Sequence, residues 1–278
     1  ALMLGVIPFH PWIPAVGRDG SPLSSAFLFS VSGGVVWFLL LDYLQTYPWL
    51  SDYPQWSSAL SAFGLITAAV GGFLGTTRRG PGALMGYGVM VDTGVLLVVL
   101  GQSSHLGVEL GVAMVFARVW ATALMAAGLE GLRAYGDGTD ERLVGLGLRA
   151  PWSTVALVVG GLSLAGFPPA VGFAPRWSIY RLLFRTQPQS VLVLLLASGG
   201  LLVGLLRVLY QLLSRPAKIP GHEGEGQQKE ASSKASESPV VVILLILFMA
   251  GAVGLGLFPQ GLATAAARVG EGFVIFGP

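Results

Sequence analysis

The stretch Leu162–Phe173, with the sequence LSLAGFPPAVGF, decides how this chain folds. It lies within a long apolar run, yet it contains Pro168, Pro169 and Gly172. Proline removes a helix hydrogen bond, and glycine lowers helix stability. A helix that breaks inside a membrane must be buried in protein or line a cavity, because lipid cannot satisfy the freed backbone groups. The stretch therefore predicts a bundle of membrane helices with at least one broken helix.

The composition of the rest of the chain agrees with a membrane environment. Of 278 residues, 53% are hydrophobic and only 11% are charged, and the mean hydropathy is +0.71. A soluble domain carries about 25% charged residues. Uncharged runs of about 20 residues, the length that crosses a bilayer, separate the charged connectors. We therefore predict an all-α membrane protein, a polytopic bundle of about seven or eight transmembrane helices.

Several functions are disfavoured by what the sequence lacks. It has no cysteine, which removes thiol catalysis, disulfides and cysteine-ligated iron–sulfur centres. It shows no metal-ligand spacing, no phosphate-binding glycine loop followed by lysine, and no nucleophile beside a base. We therefore predict no catalytic, cofactor-binding or metal-binding residue in this chain. The net charge of +2 is explained by basic loops rather than by nucleic acid binding.

The apolar runs predict where the helices cross the membrane. Residues 1–14 are expected to be the end of a helix that runs into prolines at 8, 11 and 14, and 45–57 an interfacial loop. Residues 1–213 form the predicted transmembrane bundle, 214–239 a flexible polar loop, and 240–278 the last transmembrane helix and a tail. The predicted spans are Pro22–Leu44, Ser58–Thr76, Ala83–Gln102, Val108–Leu132, the broken Trp152–Phe173 with its continuation to Phe184, Gln189–Leu213 and Val240–Phe258.

The basic residues of the connectors predict the orientation of the bundle. Alternating the spans places Arg18, the pair Arg78 and Arg79, and the loops 133–149 and 215–234 on one side. Loops rich in Lys and Arg face the cytoplasm or the mitochondrial matrix. We expect the residues after Pro259 to lie on the opposite side.

Three polar residues stand out within or beside the apolar spans. Asp92 and Arg118 each lie in the middle of a span, where a charge is costly and usually serves a function. The alternative for Asp92 is pairing with an arginine of a neighbouring helix for assembly. His10 is flanked by Pro8 and Pro11, at a predicted helix break. An imidazole can transfer protons near neutral pH, and a purely structural hydrogen bond is the equal alternative.

Two passages carry a resemblance to a known family. Residues 6–14, VIPFHPWIP, followed by 21–28, SPLSSAFL, are similar to the motif PFHxWxPDxxxxxPxPVSAFL. Residues 162–173 are similar to LSLAGIPPxxGFxxK. The chain thus resembles the antiporter-like, proton-translocating subunits of respiratory complex I and of Mrp-type cation/proton antiporters. Within that family it looks most like bacterial subunit N of NADH:quinone oxidoreductase and its mitochondrial counterpart.

The chain also departs from the family pattern. Family members have about fourteen helices, and the resemblance covers only about eight C-terminal ones. We expect the other half, which carries a channel glutamate, to be a separate chain or lost. Two lysines of the family align with Met3 and Gly33, and a third aligns with Arg176. An arginine keeps the positive charge but does not readily release its proton.

The resemblance implies a membrane-arm subunit of a proton-pumping NADH:quinone oxidoreductase, itself without a redox site. Arg176, Asp92, Arg118 and His10 are then the proton-path candidates. NADH, FMN, iron–sulfur clusters and quinone are expected in partner subunits, and lipids around the chain. The expected partners are other membrane-arm subunits and, as one option, a separate chain that supplies the other half.

Alternative functions remain open at this stage. The chain could have a structural or vestigial role without its own proton channel, because the lysine positions are lost. It could instead belong to an Mrp-type antiporter or a membrane-bound hydrogenase, or be an independent transporter. The expected location is an energy-coupling membrane, with the mitochondrial inner membrane favoured over the bacterial cytoplasmic membrane.

Overall fold

A computed structural model describes residues 3–51, 53–77, 80–135, 145–214 and 237–273. Several predicted features lie outside these residues. They are the pair Arg78 and Arg79, most of the 133–149 loop, nearly all of the predicted polar loop 214–239, and the last five residues of the tail.

The described residues form helices joined by turns, and they include no strand. A π-helical turn, Leu28–Ser32, joins α2 to α3, so that one continuous helix runs through residues 22–46. A short 3-10 helix, Leu146–Leu148, precedes α8. The helices are α1 (Trp12–Asp19), α2 (Pro22–Phe27), α3 (Gly33–Thr46), α4 (Pro48–Ser51), α5 (Pro54–Thr77), α6 (Pro81–Leu100), α7 (His105–Arg133), α8 (Pro151–Ala165), α9 (Phe173–Thr186), α10 (Pro188–Leu213), α11 (Pro239–Leu257) and α12 (Gln260–Gly270).

The number of long apolar helices confirms the predicted membrane bundle. Within the described residues, six helices are long and apolar enough to cross a membrane, and α8 is a shorter apolar helix. A non-helical segment containing Pro168, Pro169 and Gly172 separates α8 from α9. The two helices therefore form one broken crossing, where the sequence predicts it.

The structure corrects three expectations about the helix limits. Residues 3–11 are turns and not a helix end, and α1 begins at Trp12 with Pro14 in its first turn. Proline is tolerated there because the first amides of a helix have no intrahelical acceptor. The predicted 45–57 loop contains α4 and the start of α5, and the tail contains α12, a short helix whose Arg268 lies in its last turn.

Helix α6 is the centre of the bundle. Every residue from Pro81 to Leu100 is buried, and α6 contacts α1, α5, α7, α8 and α10. Glycine makes this close packing feasible, because a Cβ at Gly94 would lie 2.5 Å from the carbonyl oxygen of Gly64 on α5. Small residues let membrane helices approach closely. Residues on α6 are therefore shielded from lipid along its whole length.

Helix α11 packs beside α8, and the segment that contains α11 also contacts the start of α8 and the break that follows it. At the start of α8, the Glu237 carboxylate accepts hydrogen bonds from the backbone N–H groups of Trp152 (3.1 Å) and Ser153 (3.0 Å), and from the Ser153 hydroxyl (2.6 Å). A carboxylate at a helix N-terminus satisfies free N–H groups and complements the helix dipole. At the far end, Gly256 packs so tightly against the backbone of Pro169 that a Cβ would collide with it.

Adjacent glycines on α10 test the packing directly. We expect Gly200→Ala to destabilise the protein by about 1 to 3 kcal/mol, the usual cost of overpacking, because its Cβ would lie 2.5 Å from the Gly72 carbonyl oxygen. Gly199→Ala is the matched control, since a Cβ there has no atom within 4 Å. Thermal unfolding of both purified variants in the same detergent measures the difference. Equal melting temperatures would contradict the close contact between α5 and α10.

Candidate functional site: a buried Arg–Asp–Arg network

Asp92 on α6 joins two arginines from different helices. Arg118 Nε on α7 donates to one carboxylate oxygen of Asp92 at 2.5 Å, and Arg176 Nη2 on α9 donates to the other at 2.9 Å. The side chains are almost fully buried, with exposed fractions of 5% for Asp92 and 1% for each arginine. We call these three residues the Arg–Asp–Arg network.

The break between α8 and α9 positions Arg176. Gly166 ends α8 in the left-handed conformation with φ of 73°, and a Cβ there would overlap the side chain of Arg176. Because α8 stops, the carbonyl of Ala165 is free to accept a hydrogen bond from Arg176 Nη1 at 3.2 Å. The glycine and the free carbonyl together explain why the guanidinium fits at the break.

Two further residues extend the network. Ser198 Oγ on α10 accepts a hydrogen bond from Arg176 Nη1 at 3.0 Å, and it lies 3.0 Å from the Tyr180 hydroxyl on α9. Neither residue is singled out by the sequence analysis. In the sequence, Ser198 is visible only as a hydroxyl within the apolar run of α10.

The network carries an excess of positive charge. Its two guanidinium groups and one carboxylate leave a formal charge of +1 in a buried site. Among the described residues, Arg118 Nη2 and Arg176 Nε are buried without a hydrogen-bond partner. Since a guanidinium does not release its proton, the arginines can act on mobile protons through their field, but they cannot relay them.

Arg118 lies beside Gly33, one of the positions that the motif resemblance aligns with a family lysine. A Cβ at Gly33 would lie 3.4 Å from Arg118 Nη1. Arg118, Thr93 and Gly33 line a cavity of about 10 Å³, about the size of a single water molecule. A cation from α7 therefore occupies the space next to Gly33.

His10 lies apart from the network. It lines a cleft of about 360 Å³ with Arg18 and Tyr87, and its Nδ1 is buried without a partner among the described residues. Glu109 pairs with His105 at 3.2 Å and not with Arg118. The structure thus brings together three of the four proton-path candidates. In the described part of the chain, no three His, Asp or Glu side chains are grouped as metal ligands.

A bundle with a broken helix and intramembrane charges defines a class, the polytopic helical membrane proteins to which many ion pumps and transporters belong. The comparison with protein families is more specific. Residues 1–202 match the family described as NADH:quinone oxidoreductase/Mrp antiporter, TM. The chain belongs to this family, which confirms the resemblance seen in its motifs.

Two relatives of the chain come from bacteria. Subunit N of the NADH-quinone oxidoreductase of Moorella thermoacetica is 28% identical over 271 residues, which are 96% of this chain and 54% of the relative. Formate hydrogenlyase subunit 3 of Escherichia coli is 27% identical over 267 residues, 90% of this chain and 43% of the relative. The chain thus spans about half the length of the relatives it matches. These bacterial relatives give the predicted mitochondrial location no support.

Solved structures share the fold. A chain of the archaeal membrane-bound sulfane sulfur reductase has a TM-score of 0.81 at 17% identity, covering 98% of this chain and 54% of that one. A chain of the Mrp complex from Dietzia sp. has a TM-score of 0.78 at 15% identity, and the match covers 100% of this chain and 59% of that one. A chain of respiratory complex I from Thermus thermophilus has a TM-score of 0.68 at 20% identity, and the match covers 95% of this chain and 56% of that one.

Removing the carboxylate tests the network. We expect Asp92→Asn to destabilise the protein by about 3 to 5 kcal/mol, because it leaves two buried cations without a counter-charge. The control is Asp42→Asn, which changes an exposed carboxylate. Protein abundance in membranes and melting temperature in detergent are the measurements.

A double variant separates charge from packing. Adding Arg118→Met to Asp92→Asn removes one of the unpaired cations, so part of the lost stability is expected to return. If the double variant is no more stable than Asp92→Asn alone, the electrostatic account of the network is wrong.

Proposed function

We propose that this chain is a membrane-arm subunit of a proton-translocating NADH:quinone oxidoreductase in a bacterial cytoplasmic membrane. The observation that carries the proposal is the Arg–Asp–Arg network at the break between α8 and α9. Intramembrane charges at a broken helix are the usual elements of ion-translocating membrane proteins. Similarity to bacterial proteins named as subunit N supports the choice of assembly.

In this proposal the network acts through its electric field. A unit charge changes the energy of another charge 4 to 10 Å away by about 2 to 4 kcal/mol at an effective dielectric constant near 20. The +1 excess raises the energy of a proton nearby, and a motion that separates Arg176 from Asp92 would change that energy. The arginines thereby set when neighbouring groups or waters accept protons, without being protonated or deprotonated themselves.

The redox chemistry then belongs to other subunits. NADH, FMN, iron–sulfur clusters and quinone would bind there, and this chain would bind none of them. The part of the relatives that this chain does not span would be supplied by a further segment or by a separate chain. Neighbouring membrane-arm subunits and lipids would cover its remaining surface.

A second candidate function is that of a subunit in a membrane-bound hydrogenase-type assembly, where the chain could also have a structural role only. It is favoured by the similarity to formate hydrogenlyase subunit 3 and by arginines that hold their protons. Native mass spectrometry of the assembly purified through a tag on this chain distinguishes the two by the partner subunits. Co-purification of hydrogenase subunits instead of NADH dehydrogenase subunits would overturn the proposed assembly.

Substitution of Arg176 tests the proposed electrostatic role. We expect Arg176→Ala to leave the complex assembled, because Asp92 keeps its hydrogen bond to Arg118 and the pair is then neutral. The number of protons translocated per electron should fall. Arg176→Lys keeps the charge and should have a mild effect. The measurements are complex abundance on native gels and proton-to-electron ratios in proteoliposomes.

The control for this experiment is Arg268→Ala, which removes an exposed arginine of α12. Loss of assembly in Arg176→Ala would indicate a structural arginine. An assembled Arg176→Ala complex with an unchanged proton-to-electron ratio would show that the network does not contribute to translocation.

A further inference from the structure

Helix α9 carries charge on two faces. Arg176 is buried in the network, whereas Arg181 and Arg185 are exposed on the opposite side. They are four residues apart, and residues at this spacing are neighbours on a helix surface. Neither has a hydrogen bond or an ion pair within the described part of the chain. Two exposed cations therefore lie side by side, and no described residue supplies their counter-charge.

These arginines form part of the wall of an apolar groove between α9 and α10. The groove has a volume of about 430 Å³, and its wall includes Trp177, Phe184 and Leu195. Since α9 starts at the helix break and ends at Thr186, just before α10, Arg185 lies near the membrane surface. Trp177 lies two turns deeper, about 12 Å at 1.5 Å per residue. The groove thus extends from Arg185 near the surface, past Arg181 about one turn deeper, to Trp177.

We infer that this groove binds an anionic glycerophospholipid, with its phosphate on Arg181 and Arg185 and an acyl chain against Trp177 and Leu195. Guanidinium groups bind phosphate oxygens through directed hydrogen bonds. The predicted orientation places the end of α9 on the side opposite the basic loops, so the attraction is a local Coulomb interaction between the two guanidinium groups and the lipid phosphate. A single ligand with a phosphate above a hydrocarbon chain matches both the charge and the apolar depth of the groove. This inference does not depend on the proposed function.

Native mass spectrometry of the tag-purified assembly tests the site with phosphatidylglycerol and phosphatidylcholine of the same acyl chains. We expect Arg181→Gln combined with Arg185→Gln to weaken phosphatidylglycerol binding at least about 10-fold, because charge-assisted hydrogen bonds to the phosphate are lost. Phosphatidylcholine binding should not change. The variant with lysine at both positions should bind phosphatidylglycerol more tightly than the double Gln variant but less tightly than the parent, because lysine keeps the charge without the guanidinium geometry. Arg268→Gln is the matched control, because it removes another exposed arginine.

Further measurements distinguish a bound phospholipid from a free phosphate compound and from a protein partner. Glycerol phosphate, which has the head group without acyl chains, should not displace the lipid. Displacement would overturn the acyl-chain contact. Unchanged phosphatidylglycerol binding in the double Gln variant would overturn the site. If that variant instead loses a neighbouring subunit and still binds the lipid, the two arginines contact a protein, and the inferred lipid site is wrong.

If the double variant does not assemble, the parent protein still provides a test. A photoactivatable phosphatidylglycerol, crosslinked in the assembly and mapped by peptide mass spectrometry, should label residues 177–195. Labelling confined to other segments would contradict the inferred site.

Discussion

The two hydrogen-bonded ion pairs of Asp92 are the interaction on which the structure depends. Hydrocarbon cannot solvate a carboxylate or a guanidinium, so each charge must meet its counter-charge inside the protein. The requirement brings α6, α7 and α9 to one point, although Asp92 is 26 residues from Arg118 and 84 residues from Arg176 in sequence. The glycine contacts around α6 then allow the helices to come close enough for the pairs to form.

Much of this fold follows from the sequence, because lipid permits few backbone arrangements. The apolar runs predict the long helices to within a few residues, and Pro168, Pro169 and Gly172 predict the break. The sequence does not predict α12 or the true start of α1. Both are short segments whose helical state depends on packing rather than on length, and proline can either begin or end a helix.

The candidate site is predicted only in part. Asp92, Arg118 and Arg176 are recognisable because charged residues are rare in apolar runs. Their mutual contacts depend on which faces of three distant helices meet, and this is not visible in a single sequence. Ser198 and Tyr180 are missed because hydroxyl-bearing residues are common in membrane helices and carry no distinctive spacing. His10 is conspicuous in sequence, but its position beside α1 leaves it outside the network.

Two contacts, made by Glu237 just before α11 and by Gly256 near its end, fix the depth of the helix break. Glu237 holds the start of α8, and Gly256 holds the backbone at Pro169. The length of the segment between them therefore sets the depth of the break in the membrane, and with it the depth of Arg176. A helix with few buried residues thereby sets the level at which a buried positive charge lies. A one-turn change in its length corresponds to about 5.4 Å along the membrane normal, more than the length of either ion pair of Asp92.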